Sequence, residues 1–494
     1  MKIGKDINFL AERVSIESFL EEAKGWANNI SISKVLNDSL ENAKLMIIDT
    51  IFTALISSRT YWAKMLLDLF NVNYQELFPI LSVMYDYDST LLYYGHLGHG
   101  IASPLLFSIP NTNVTGKELM EAVISSVEIS ARVAASLSVS KTRGQSMTSI
   151  HALSTVVFLS KLYNQDLKNS MGLSLSYMIK PTSHGFGSLG KLYSASLGVE
   201  MGYKAFRLAK YQNVNENFLT DFLKQYGEYY LKAPLGSFNK RWHVNTLSVK
   251  KYPACAYTQT LIEGALEISQ EVNLDEISEV TLRENMLTYF MDKNHERIVK
   301  EGNPSFTLLQ FYSPYLLTVT IKDKRFGVNS YDESHIKDPL IWKLAYKVNI
   351  LHDVNLTIKL LNEPLPFGVA INEIGADFIK KFLGGFEYNL RGVDLNEVNF
   401  EKTRKYMGII IDVKTKEGRK ISVEKEIVDG FHGTGLEKKR EVVNKKFLDA
   451  IKDSNEEDLK NIYNILYSLE KRGNDELKFM YKVLIEEVKR ELHQ

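Results

Sequence analysis

The stretch Thr115-Gly-Lys-Glu-Leu-Met-Glu-Ala-Val-Ile-Ser-Ser-Val-Glu-Ile-Ser-Ala-Arg-Val-Ala-Ala-Ser136 decides the fold class. Thr115 and Glu118 stand three residues apart, the spacing of a capping box, in which two side chains satisfy free backbone N–H groups at a helix start. Leu119, Val123, Val127, Ile129, Val133 and Ala135 then follow at helical intervals towards Ser140. Between them lie Ala122, Ser125, Ser126, Ala131 and Ala134, small enough to let neighbouring helices approach closely.

Outward from this helix the same style continues. Ser39 to Ile56, Ala63 to Leu69, Ile150 to Tyr163 and Ser194 to Tyr211 all repeat apolar or small residues at helical spacing, so residues 1 to 270 read as almost wholly helical. The character changes after that. Ile277 to Arg283 alternates as a half-buried strand does, Phe306 to Thr320 and Asp338 to Val348 read as helices, and Leu356 to Leu361 reads as a strand. Met407 to Val413 and Ile421 to Val423 make a hairpin across Lys416-Glu-Gly-Arg419. Beyond Gly430-Phe-His-Gly-Thr-Gly435 come charged amphipathic helices, Glu441 to Ile451, Glu456 to Lys471 and Asp475 to Leu492. The expectation is a mainly α protein with an inserted α+β domain. Residues 1–270 form the first part of a large all-helical domain, 271–435 the smaller α+β domain, and 436–494 the C-terminal helices that complete the helical one.

Composition narrows the function. Lys and Arg total 60 and so do Asp and Glu, so no global field recruits nucleic acid or an acidic membrane. Cys255 is the only cysteine, which excludes an internal disulfide framework and a cysteine-ligated iron–sulfur cluster within one chain. The charged start and the short run Leu45 to Ser57, interrupted by Asp49, point to a cytoplasmic protein without a membrane span.

The densest concentration of proton-moving groups is Tyr85-Asp-Tyr-Asp-Ser-Thr-Leu-Leu-Tyr-Tyr-Gly-His-Leu-Gly-His-Gly100. An apolar run broken by Pro104 follows it, which places the cluster on a loop leading into a buried helix. As a site it offers Asp86, Thr90, His96 and His99; as a solvated turn it offers nothing. Asp86, Asp88, His96 and His99 can ligate a divalent ion, but the spacing matches no strong ligand signature such as His-Glu-x-x-His, and no metal is expected. His184-Gly-Phe-Gly-Ser-Leu-Gly-Lys191 lacks the ending of a phosphate loop, although a lysine entering a helix after glycines can meet an anion.

Taken in order, Ile48-Asp-Thr50, Asp86-Tyr-Asp-x-Thr90, Gly95-His96, Thr115-Gly-Lys-Glu118, Gly190-Lys191, Lys250-Lys-Tyr-Pro-Ala-Cys255 with Ile262-Glu263, Phe311-Tyr-Ser-Pro-Tyr315 and Asp338-Pro through Leu344-Ala resemble the MmgE/PrpD family. That family includes 2-methylcitrate dehydratases, cis-aconitate decarboxylases and iminodisuccinate epimerases. The resemblance implies a lid role for the α+β domain, an active site in the cleft beneath it, a homodimer, no metal and no other cofactor. It places the catalytic aspartate on Asp86, the threonine on Thr90, the first histidine on His96 with His99 competing, the lysines on Lys191 and Lys250, and the lid tyrosine on Tyr315. Arg143-Gly-Gln145 stands where the family has Gly-aromatic-His, so Gln145 replaces a second histidine and cannot exchange a proton near neutral pH.

The chemistry that follows is removal of a proton α to a carboxylate of a small di- or tricarboxylate. A histidine is the base, Asp86 orients it, and Lys191, Lys250 and Arg143 take the charge. Thr90 and Tyr315 position or protonate the leaving hydroxyl. A 2-methylcitrate-type hydro-lyase is the first expectation. A decarboxylase or epimerase using the same carbanion, or a weakened member that binds a carboxylate or a partner, are the alternatives.

Overall fold

The computed structural model describes residues 3–70, 73–92, 95–138, 147–176, 187–215, 217–226, 230–302, 304–375, 390–452 and 455–493, with side chains throughout except at 3–15, 68–70 and 147. The described residues are mainly helical, with a four-stranded mixed sheet and a two-stranded pairing. The capping box opens the helix Gly116–Ser136: the Thr115 side chain accepts from Glu118 N at 3.3 Å, and Glu118 Oε2 accepts from Thr115 N at 2.7 Å. A cap of this kind stabilises a helix by about 1 kcal/mol. The helix is buried along nearly its whole length beside Met147–Leu162, which in turn packs on Gly190–Leu208. No helix among the described residues is long and apolar enough to cross a membrane.

The chain's last helices return to its early ones. Leu436–Ile451 lies against Asn37–Ser58, where Phe447 meets Phe52 edge-on at 5.2 Å, Arg440 pairs with Glu41 at 2.9 Å and Lys439 donates to Asn42 Oδ1 at 2.9 Å. The sheet is formed by β3 (Ile277–Glu284), β4 (Val348–His352), β5 (Ile409–Thr415) and β6 (Lys420–Lys425), in the order β4-β3-β5-β6. β4 runs parallel to β3, and the other pairs are antiparallel. Gln259–Glu271 covers the β5–β6 face with its apolar side.

Three readings of this region need correcting. Leu356 to Leu361 is not a strand but part of the helix Val354–Leu361, because Asp353 accepts from Leu356 N at 3.0 Å and caps it. Phe306 to Thr320 is not one helix but two, Phe306–Leu309 and Ser313–Asp323. Pro314 sits in the first turn of the second, where its missing N–H costs nothing. The break between them frees Gln310, which matters below. The long helix read to Val348 stops at Ala345, and β4 follows.

Candidate active site

A two-strand contact brings the site together. β1 (Thr90–Leu91) pairs antiparallel with β2 (Leu247–Ser248), with Thr90 opposite Ser248. Continued two residues past the pairing in each chain, that register carries Lys250 to the segment of Asp86 and Asp88. The turn after Lys250 is fixed by buried Gln259, whose Oε1 accepts from Lys251 N and Tyr252 N at 3.0 Å and whose Nε2 donates to Tyr252 O at 2.9 Å.

Asp86 sits in an irregular stretch at φ +51°, a conformation few non-glycine residues adopt and one that costs energy unless its surroundings enforce it. The enforcement is visible. The buried Lys250 ammonium lies 2.7 Å from Asp86 Oδ2 and also donates to the Asp86 carbonyl, while Lys191 pairs with Oδ1. Burial pushes the Asp86 carboxyl up, but the two ammonium groups and His96 outweigh it and hold it well below the usual carboxylate range. Lys250 is likewise raised: burial opposes its charge, and Asp86 with Asp88 more than restores it.

Lys191 is the second residue of Gly190–Leu208, at the positive end of the helix dipole. An ammonium there needs a counter-charge, which Asp86 supplies. Its Nζ also donates to Gln310 Oε1 at 3.4 Å and stands 4.7 Å from the centre of the Phe311 ring. Two ammonium groups share the Asp86 carboxylate, and the ionised Asp88 also favours the charge on Lys250.

Asp88 faces the other way. Its Oδ2 lies 2.6 Å from His96 Nδ1 and 3.1 Å from His99 Nε2, the latter off the axis a hydrogen bond needs. Here the geometry corrects the sequence reading: Asp88, not Asp86, orients the histidine, because Asp86 is taken up by its lysines. Burial pushes Asp88 up, but His96, His99 and Lys250 outweigh it, and it stays ionised. An ionised carboxylate only accepts, so His96 Nδ1 carries the hydrogen and Nε2 is left as a lone-pair nitrogen. Burial and the Lys250 ammonium hold His96 below its ordinary value against the pull of Asp88, so the imidazole is neutral at pH 7. His96 keeps 22% of its side chain exposed. His99 keeps none; its Nδ1 meets Ser82 Oγ at 2.7 Å, and its ring lies edge-on to His151.

The glycines of this stretch have separate reasons. Gly95 turns at φ +88°, and Gly100 lies so close to the carbonyl of His151 that an added Cβ would come within 2.8 Å of it. Asp88, His96 and His99 offer ligand atoms within 4.8 Å of one another. The 2.6 Å bond between His96 and Asp88 is nevertheless shorter than the roughly 3.3 Å that separates two ligands of a tetrahedral zinc.

Thr90 Oγ1 accepts from Lys405 Nζ at 2.5 Å, and the Lys405 N–H donates to the carbonyl of His432 in the glycine-rich segment 430–435. Asp86, Asp88, His96, His99, Lys191 and Lys250 are thus gathered into one cluster, and Thr90 follows two residues after Asp88, on β1. Tyr315 is not in it: it is fully buried, donates to Ser330 O at 2.5 Å, and packs at 5.6 Å from Trp342. Arg143 and Gln145 lie outside the described residues. Sequence reasoning missed Lys405 and Gln310, which arrive from distant parts of the chain, and gave Asp88 no role but that of a possible metal ligand.

Residues 252–368 match the model of the MmgE/PrpD C-terminal domain. The likeness to the MmgE/PrpD family is shown for this span. No curated protein matches the chain. At the level of the family, that match supports a dehydratase-like or related carboxylate-acting function. The matched span includes the turn braced by Gln259, together with Gln310 and Tyr315, but begins just after Lys250.

Proposed function

We propose that the protein is a metal-independent hydro-lyase for a small hydroxy di- or tricarboxylate of the 2-methylcitrate type. The observation that carries this reading is the bond between His96 Nδ1 and Asp88, which leaves Nε2 unprotonated beside the Asp86–Lys191–Lys250 triad. A base and two ammonium groups then serve one substrate. His96 Nε2 takes the proton α to a carboxylate, and the charge that builds on that carboxylate is met by Lys191 and Lys250. The electron pair of the broken C–H bond forms the new C=C bond as the β-hydroxyl leaves. Thr90 passes its proton to that hydroxyl, which departs as water, while the Lys405 ammonium that donates to the Thr90 oxygen gives it a proton in return. His99 is the buried prop behind Asp88 and not the base. The implied homodimer and cytoplasmic location belong to the same proposal.

A panel of hydroxy di- and tricarboxylates, assayed with a strong chelator present and followed by absorbance of the unsaturated product, tests this. Turnover of a 2-methylcitrate-type acid that survives chelation is expected. Release of carbon dioxide or inversion at the α-carbon without an absorbing product assigns the decarboxylase or epimerase instead. Activity that the chelator abolishes and a divalent ion restores overturns metal independence.

A further inference from the structure

The segment that bears both aspartates, Tyr85 to Ser89, belongs to no helix or strand, so its backbone groups find partners elsewhere. The Lys250 ammonium meets the Asp86 carbonyl. Two further bonds come from a buried ion pair. Lys446 Nζ donates to the Tyr87 carbonyl at 2.6 Å and to Asp49 Oδ1 at 2.6 Å, and Asp49 Oδ2 accepts from Ser89 N at 2.7 Å. The ammonium also stands 3.8 Å from the centre of the Tyr87 ring. Asp49 lies in the helix Asn37–Ser58 and Lys446 in Leu436–Ile451, and both side chains are all but fully buried. Asp88 is thus flanked on either side of its own backbone, at Tyr87 O and at Ser89 N, by one pair of charges.

We infer that Lys446 and Asp49 are positioning residues for the acid–base pair, a clamp between the helices Leu436–Ile451 and Asn37–Ser58 that aims Asp88 at His96. The assignment of His96 as base rests on the proposed function, but the clamp itself concerns only the free protein. Burying two opposite charges brings little net stability compared with an apolar pair of the same size, so stability alone gives no reason for them here. What the pair supplies is direction. A donor for one carbonyl and an acceptor for an amide two residues later can be met together in only one conformation of the intervening Asp88. Lys439, earlier on the same helix and also buried, reaches only Asn42 Oδ1 and the Asn245 carbonyl, and so serves as a control.

The test uses the full chain with ¹⁵N-labelled histidine and needs no substrate. The unaltered protein is expected to show the Nδ1–H tautomer of His96, its resonance assigned by its loss in His96→Gln. In the double variant Lys446→Met with Asp49→Asn, which leaves no lone buried charge, circular dichroism and cooperative melting should stay as they were. The His96 signal should move to a mixture of tautomers with its Nδ1–H exchanging with solvent. Lys439→Met should leave that signal in place. Where the double variant does not fold, Lys446→Gln, which keeps a donor and drops the charge, is read in the same way. A folded variant with the His96 tautomer unchanged, or a Lys439→Met effect as large as that at Lys446, overturns the clamp. Failure of the lyase assay would leave this result untouched, and the reverse holds as well.

Discussion

Two pairs of buried carboxyl groups among the described residues are handled in opposite ways. Asp86 and Asp88, at the candidate site, have ammonium and imidazole groups at bonding distance and are held ionised. Glu284, at the end of β3, and Asp292, in the helix Met286–Lys300, are as deeply buried and hydrogen-bonded to each other. Burial there meets no such counter-charge: Asp292 is pushed up to about 6 and Glu284 well above its ordinary value. Two carboxyl groups in that setting share a proton. Asp292 uses its Oδ1 to accept from Ser313 N at 2.7 Å, anchoring the start of the Ser313–Asp323 helix. The fold brings distant lysines to the acids beside the candidate base, and leaves to a proton the acids that only tie elements together.

The contrast breaks most visibly at Lys250. Lys250→Met leaves Asp86 buried with Lys191 as its one ammonium partner, and removal of one side of a buried ion pair costs about 3–5 kcal/mol. Urea denaturation should show a loss of that size; a loss below about 1 kcal/mol would mean that Asp86 is solvated and its pairing with Lys250 weak.

Next in size is the pH dependence of stability, which has opposite signs at the two places. The folded value of Asp86 is depressed, so its contribution is present above the unfolded value of about 3.9 and is lost as pH falls below it. The folded value of Asp292 is raised, so its contribution is full below about 3.9 and is lost as pH rises through about 6. Glu284→Gln keeps a donor for Asp292 without a titrating proton, and should reduce the stability lost between about pH 4 and 7. Denaturation midpoints across that range check it; a profile identical to that of the unaltered chain would show that the pair shares no proton.

Smallest is Tyr315. Its hydroxyl is committed to Ser330 O, so Tyr315→Phe should cost about 1 kcal/mol of stability and leave turnover within a few-fold. A loss of turnover beyond a hundredfold would return Tyr315 to the machinery.

The fold class was legible in the sequence because its signals are local. Thr115 and Glu118 cap their helix within one turn, and β3, β5 and β6 alternate as written. The misread helix at Val354–Leu361 carried its own local signal in Asp353, obscured by the β-branched Thr357 and Ile358. The site was legible as a cluster but not as a wiring diagram. Asp86 and Asp88 are chemically alike and two residues apart, and only the left-handed backbone at Asp86 decides which turns to the lysines and which to the histidines. Lys405 and Lys446 reach the loop across more than three hundred residues of sequence, a distance at which no periodicity or motif speaks.

The most direct test of the central claim separates proton transfer from charge binding. On an acid that the panel shows to be turned over, His96→Gln should lose roughly 10²- to 10⁴-fold in kcat while the ligand still raises the melting temperature, because glutamine keeps a hydrogen bond but cannot move a proton. Lys191→Ala should shrink that thermal shift, since a cation of the triad is gone. A His96→Gln enzyme of near-normal kcat, with His99→Gln inactive, would move the base to His99; normal turnover in both would contradict the mechanism outright.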